Sequence, residues 1–323
     1  MNSDLVVWPF RFRLRAVEPV YFPPGKAANV LRGAFGTIFR RMACAPSCVD
    51  ARTCEIAGHC AYALLFEPRQ EWSGAAGPSG LADWPRPFVF RALHLDGRRL
   101  ERGEEFYFDV VLFDSPGKTL PYFVSVFREL AEAGLGASRG RAKLEAVEDL
   151  AGGQLVFDGQ RMRDVSLTGR RFEFGGPPVD GALGRLLVRF LTPTELKVGG
   201  ELAARPDFGI LMRRIRDRVS NLRAFYQGGA LEIDFEALAD LADRVAMTRC
   251  AVHHEEAERR SSRTGMRHSL GGFVGEAEYE GLFGPFVEYL RAGESVGVGR
   301  QTVWGKGCFE LKEASGCSPS GTA

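Results

Sequence analysis

Two glycine-rich stretches that carry basic side chains, Gly134–Lys143 and Gly297–Gly307, constrain this chain more than any other feature. Each stands immediately before a strand-like segment, Leu144–Val147 in the first case and Cys308–Leu311 in the second. The second reads Gly297-Val-Gly-Arg-Gln-Thr-Val-Trp-Gly-Lys-Gly307. Glycine lets a backbone come close to a ligand, and successive N–H groups in such a loop can hold an anion. Either loop alone fits a plain turn equally well. What gives the pair weight is that the segments leading up to each loop run in the same order.

In the first half, Phe10, Phe12 and Leu14 alternate with Arg11, Arg13 and Arg15, the period of a half-buried strand with a cationic outer face. After a turn at Tyr21–Gly25, the residues Val30, Leu31, Ala34, Phe35, Ile38 and Phe39 make one apolar stripe, predicting a helix over 26–42. Phe88–Leu95 and Phe106–Phe113 read as strands, Pro68–Pro87 as an exposed loop, and a helix begins at Pro121 and stops at Gly134. The second half repeats this order. Leu186–Leu191 reads as a strand, and an arginine-rich helix runs from Pro206–Asp207 to Tyr226. A further helix covers Phe235–Val245, and strands follow at Met247–Val252 and Ser269–Tyr279. A last helix, around Pro285–Leu290, is stopped by Gly293. Apart from the helix at Phe235–Val245, each half is therefore strand, helix, strand, strand, helix, strand. The prediction is an α+β chain of tandem ferredoxin-like domains, residues 1–180 and 181–313, with a small polar tail over 314–323.

The first domain carries an insertion, residues 44–60, holding Cys44, Cys48, Cys54 and Cys60 with His59 beside the last. The N-terminus lacks the pattern of a signal peptide and no apolar run approaches a membrane span, so the expected location is cytoplasmic. In a reducing compartment four clustered thiols predict one structural zinc site, with an iron–sulfur cluster or unbound cysteines as the alternatives. No water-activating group accompanies them, and no small-molecule cofactor motif is evident.

A net charge of +1 gives no overall attraction for nucleic acid. Of 42 basic residues, however, 36 are Arg and 6 are Lys, and the Arg fork suits phosphates and stacks on bases. A GC-rich genome would produce the same excess, so local clustering has to decide. Two clusters stand out: the helix carrying Arg213, Arg214 and Arg218, and the segment from Arg259 through Arg263 to Arg267. Both are candidate phosphate-binding surfaces, set against the alternative that these arginines pair with neighbouring acids.

At this point the residues resemble a known family. The order of elements, with Phe190–Lys197, Arg260–Gly265, Gly271–Gly275 and the final Gly297…Trp304-Gly-Lys-Gly307 loop, is similar to the RAMP superfamily of CRISPR-associated proteins. Within it the chain most resembles the endoribonucleases that cut CRISPR repeat precursor RNA into guide RNAs. The C-terminal half carries most of the resemblance, and the cysteine insertion is not general to the family. The resemblance implies metal-independent cleavage in which a 2′-OH attacks the adjacent phosphorus, leaving a 2′,3′-cyclic phosphate and a 5′-OH. Such a reaction needs a proton acceptor, a proton donor and cations for the extra negative charge. The family often places a His near the first helix, but none occurs between Tyr21 and Met42. His268, in a cationic setting, and the pair Tyr21 and Lys26 are therefore the catalytic candidates. His59 reads as part of the cysteine cluster, His94 as a packed or surface strand residue, and His253 and His254 as members of a charged turn. The expected RNA contacts are Arg213, Arg214, Arg218, Arg259 and Arg263, with Gly297, Gly299, Arg300, Gly305, Lys306 and Gly307 of the loop. The missing first-helix His supports an alternative, a RAMP-fold subunit that binds guide RNA within a CRISPR effector complex without cutting it. A zinc-containing interaction module unrelated to RNA is the third reading.

Overall fold

The alternation of phenylalanine with arginine produces the strand it predicts. Strand β1 spans Asp4–Ala16, burying Phe10, Phe12 and Leu14 and turning Arg11, Arg13 and Arg15 outward. The computed structural model describes residues 3–45, 48–69, 84–175, 184–260 and 267–313. After β1 come β2 (Val20–Tyr21), helix α1 (Ala27–Ala43), the short α2 (Ala61–Phe66), β3 (Phe88–Arg91), β4 (Arg99–Leu100) and β5 (Glu105–Leu112). Helix α3 (Pro116–Ala133), β6 (Ala142–Asp149), β7 (Gln154–Phe157) and β8 (Arg170–Glu173) complete the first half. Its sheet is antiparallel in the order β3-β5-β1-β6-β7, with β8 pairing the beginning of β1.

The second half contains β9 (Gly184–Thr194), β10 (Lys197–Val198), β11 (Glu201–Leu202), α4 (Phe208–Tyr226), α5 (Phe235–Asp243) and β12 (Ala246–Glu255). Then follow β13 (Glu258–Arg260), β14 (Arg267–Ser269), β15 (Gly272–Gly281), α6 (Val287–Val296) and β16 (Phe309–Glu313). Its sheet, also antiparallel, runs β12-β15-β9-β16. In both sheets the first long strand lies between the third and the fourth, and the second lies at an edge. The repeated order of elements thus has a repeated topology beneath it.

The two halves share hydrophobic surface. Phe88 and Phe90 point into a core closed by α1 and α3, where Phe35 stacks on Phe123 at 4.4 Å. Val89 points the opposite way, and with Leu5, Val7, Val111 and Phe113 it joins the core under α4 and α6. The alternation of a strand sends successive side chains to opposite faces, so one sheet supplies both cores. Polar groups reinforce the junction: the Gln227 amide donates to Val6 O at 2.6 Å and Phe113 O at 3.1 Å, and Arg223 Nε donates to Asp4 O at 2.6 Å.

Several boundaries differ from the sequence reading. Helix α3 begins at Pro116, and Pro121 lies inside it. Helix α6 runs through Gly293 and ends at Gly297, whose φ of 77° breaks it. Gly293 is where that helix packs on β16, and a Cβ there would stand 2.7 Å from the Phe309 ring. The Phe88–Leu95 pattern stops being strand at Arg91 and continues as a 3-10 turn over Leu93–Leu95. Ser269–Tyr279 divides at Leu270–Gly271: β14 pairs with β13 in a hairpin and β15 enters the large sheet. Most of the Pro68–Pro87 loop (70–83) lies outside the described residues, and Trp84 at its end is buried against Phe225, ring centroids 3.9 Å apart. The outer face of β1 is not a bare cationic strip. Arg11 forms a paired contact with Asp109 (2.8 and 2.9 Å), Arg13 bonds Glu148 (2.7 Å) and Arg15 bonds Glu145 (2.9 Å). Among the described residues no helix is long and apolar enough to cross a membrane.

Candidate nucleic-acid groove and catalytic cleft

The two glycine loops have the same structural task. In the first half Ala137 N donates to Tyr21 O at 2.8 Å, and Tyr21 N donates to Ser138 Oγ at 3.0 Å. In the second half Arg300 N donates to Glu195 O at 3.1 Å and Gly307 N to Pro193 O at 3.1 Å. Each loop therefore clasps the chain near where the first long strand of its half ends. The N–H groups of Val298, Arg300, Trp304, Gly305 and Gly307 all bond to carbonyls of the chain itself. An anion nest needs such groups unengaged, so these five form no backbone cradle. Its glycines answer to geometry: Gly305 has φ 79° and sits against Ala28 of α1, and Gly307 has φ 67° and sits against the Val298 carbonyl.

The loop divides two openings between the halves. On one side lies a groove of about 830 Å³. Arg86, Lys197, Arg214, Arg218 and Arg300 line it against only Glu195 and Asp217, with Trp84, Trp304, Asn221 and Gln301 among the remaining walls. On the other side lies a cleft of about 450 Å³, lined by Gly25, Arg91, His94, Asp96, Tyr107, Glu255, Glu294, Lys306 and Cys308 among others. Trp304 borders both. The groove has an excess of positive charge, as a phosphate backbone requires, and the cleft holds mixed charges.

The expected contacts fall into distinct environments. Arg214 and Arg300 line the groove, Arg214 pairing with Asp217 at 3.1 Å and Arg300 with Glu195. Arg218 is set deeper. Its Nε donates to Val296 O at 2.9 Å, capping the C-terminus of α6, and burial with Arg91 nearby pushes its guanidinium below the ordinary value. Arg91 caps the same helix from the other half, donating to Ser295 O at 2.9 Å. Arg213 pairs with Asp243 (Nη1–Oδ1 2.9 Å) and lines neither opening. Lys306, expected on an RNA backbone, is 3% exposed and donates to Gly25 O at 3.3 Å. Burial lowers its pKa, partly offset by Asp96, and burial raises that of Asp96. Gly299 lines the groove and Gly305 the cleft, whereas Gly297 ends α6. The backbone of Arg259 pairs with that of His268 in the β13–β14 hairpin, next to the groove, where Gln301 Nε2 donates to Ser269 O at 2.6 Å. The side chains of Arg259 and His268, and all of Arg263, lie outside the described residues.

Of the catalytic candidates, Tyr21 and Lys26 have described side chains, and neither lines an opening. Lys26 is exposed at the N-terminus of α1, close enough to Lys306 for their charges to interact. It adjoins Ala27, whose N–H donates to Asp96 Oδ1 at 2.7 Å. Tyr21 sits in β2 opposite Arg99 and lines neither opening. Sequence reasoning missed Arg86, Lys197 and His94. The two cations stand alone in loop and short-strand sequence, and His94 looked like one more strand residue.

In the cysteine insertion Cys44 lies within thiol–thiol reach of Cys60 and Cys48, and Cys48 of Cys54. No disulfide joins the four, and burial with the neighbouring thiols pushes Cys44 up to about 12. They form a chain of contacts rather than a closed tetrahedron, and among the described residues no group of three or more ligating side chains is set for a metal. The donor set suits zinc, and the geometry would have to tighten to take it. Cys60 caps α2, and Phe66 at the far end of α2 packs on Arg32 of α1, 4.2 Å from guanidinium to ring. Arg32 lies over Trp304 at 5.2 Å, so the insertion is linked by packing to the glycine loop.

Comparison with known proteins places the chain. Residues 188–309 match the CRISPR-associated endoribonuclease Cas6 family, and residues 5–167 match AF_1859_N, described as an N-terminal domain. Its second half carries the Cas6 match, and the whole chain has the Cas6 fold. Cas6 structures share its fold over nearly the whole length. A Cas6 product complex aligns with TM-score 0.53 and 18% identity, covering 95% of this chain and 99% of the other. Thermus thermophilus Cas6 aligns with TM-score 0.50 and 16% identity, covering 97% and 100%. A partial Cas6-RT-Cas1–Cas2 complex aligns with TM-score 0.57 and 13% identity, covering 97% of this chain and 47% of that one. No curated protein sequence matches.

Proposed function

We propose that this chain is a Cas6-family endoribonuclease that binds CRISPR repeat RNA and cuts the precursor into guide RNAs. The observation that carries this reading is the basic groove between the halves, with Arg86, Lys197, Arg214, Arg218 and Arg300 set against two acids. Phosphates of a repeat hairpin lie along Arg214 and Arg300, and exposed bases meet the Trp304 face. Cleavage is by 2′-OH attack on phosphorus without a metal, giving a 2′,3′-cyclic phosphate and a 5′-OH. Lys26 adjoins Gly25 of the cleft wall, and Tyr21 and His268 are tested alongside it by substitution. Residues 1–180 and 181–313 are two ferredoxin-like domains, and Cys44, Cys48, Cys54 and Cys60 hold a structural zinc that fastens the insertion.

Purified protein incubated with a labelled repeat hairpin in EDTA, with zinc content measured in parallel, tests the reading. Cut RNA supports it. RNA bound but intact would instead support the non-cleaving effector-complex subunit, which the absence of His from α1 favours. RNA ignored at low salt would sink both.

A further inference from the structure

Among the histidines whose side chains are described, His94 is held by a ring stack and a ring-nitrogen hydrogen bond at the wall of the cleft. His94 lies in the 3-10 turn after β3, exposed at the wall of the cleft, and its ring stacks on Tyr107 with centroids 4.2 Å apart. Its Nε2 is 2.8 Å from Tyr107 O. A carbonyl oxygen only accepts, so Nε2 carries the hydrogen, and in the neutral ring Nδ1 is left with its lone pair. The ring is thus fixed in orientation and in tautomer before any substrate arrives. The other described histidines differ. His59 is in the turn beside the cysteines, and His253 and His254 are on the exposed strand β12.

The surroundings of His94 suit the chemistry. Residues 299–303 of the glycine loop face the groove, Gly305 and Lys306 face the cleft, and Trp304 borders both. A strand held by phosphates on Arg214 and Arg300 has only Trp304 to cross to reach the cleft. There it meets His94 on one wall and, at the α1 end, Gly25, with exposed Lys26 next in the chain.

We infer that His94 is the general base of the cleavage reaction, taking the 2′-OH proton on Nδ1, with the Lys26 ammonium as its acid partner. This assignment rests on the endoribonuclease reading. The O2′–H bond breaks toward Nδ1 as O2′ bonds to phosphorus. The P–O5′ bond then breaks, and O5′ takes a proton from Lys26. His94 leaves as imidazolium and Lys26 as amine, and exchange with water restores both.

The test is single-turnover cleavage of labelled repeat RNA by the full chain, comparing wild type with His94→Ala and His94→Gln, and using His253→Ala as the control. The expected result for both His94 variants is a fall in rate of about 100-fold or more, with RNA affinity unchanged within about twofold. The rise of wild-type rate with pH should flatten in His94→Ala, and added imidazole should restore part of the rate. Cleavage by His94→Ala at the wild-type rate, an unchanged pH profile, or a loss that only tracks weaker RNA binding would overturn the assignment. A wild-type protein that binds the repeat and never cuts it would sink the nuclease reading, and this assignment with it.

Discussion

Gly307 and Glu294 show what individual residues contribute here. Gly307 combines a φ of 67° with a backbone carbonyl where a Cβ would stand. Gly307→Ala should lower stability by about 2 kcal/mol or more, read as a fall in Tm; an unchanged melt would mean the loop is looser than its geometry requires. Glu294 lines the cleft and accepts Leu311 N at 2.8 Å, and burial raises its pKa above 4.5. A carboxyl raised on folding adds stability that is full below its ordinary value and is lost as pH rises through the folded one. Glu294→Gln removes that titration. The Tm difference should therefore shift in favour of the variant as pH climbs from below 4.5 toward neutrality. A difference independent of pH would contradict the burial argument. At this scale the sequence was only partly legible. It marked Lys306 by its place in the loop, but nothing local could show that Gly25, some 280 residues away, would bury it.

Helix α4 carries the same lesson among elements. In the sequence its arginines form one cationic cluster, and the fold divides them by the direction each side chain leaves the helix. Arg223 is buried and donates to Asp4 O and Ala230 O, Arg218 caps α6, and Arg214 faces the groove. Arg223→Ala should cost about 2 kcal/mol of stability, since its charged hydrogen bonds are buried at the junction of the halves. Arg214→Ala should leave Tm nearly unchanged, weaken RNA binding, and reduce the slope of log affinity against log salt by about one. The reverse pattern, in which Arg223 affects only binding and Arg214 only stability, would contradict the division. Helix and strand periodicity located these elements well because burial of one face is written in the local pattern. The Phe88–Leu95 segment failed because its apolar residues continued past the point where the backbone turned, and that hid His94.

For the whole molecule, the repeated order of elements translated into two sheets of the same strand order, because sequence order and hydrophobic period together leave few ways to pair the strands. What no pattern could reveal was how the halves meet: Val89 and Val111 turned away from their own core, and a groove and a cleft on either side of one loop. The cysteine insertion is joined to that loop through Phe66, Arg32 and Trp304. Chelation, or Cys44→Ser, should therefore lower Tm by several degrees and change the Trp304 emission, with zinc released in step. A chain that contains no zinc as purified would remove the metal from the account. The central claim is that this junction cuts RNA with the substrate's own 2′-OH. The direct measurement is cleavage of a repeat hairpin carrying a single 2′-deoxy nucleotide at the cut site, in EDTA. The account predicts binding equal to that of the unmodified RNA and no cleavage at that position. Cutting of the deoxy substrate at the same bond would contradict it.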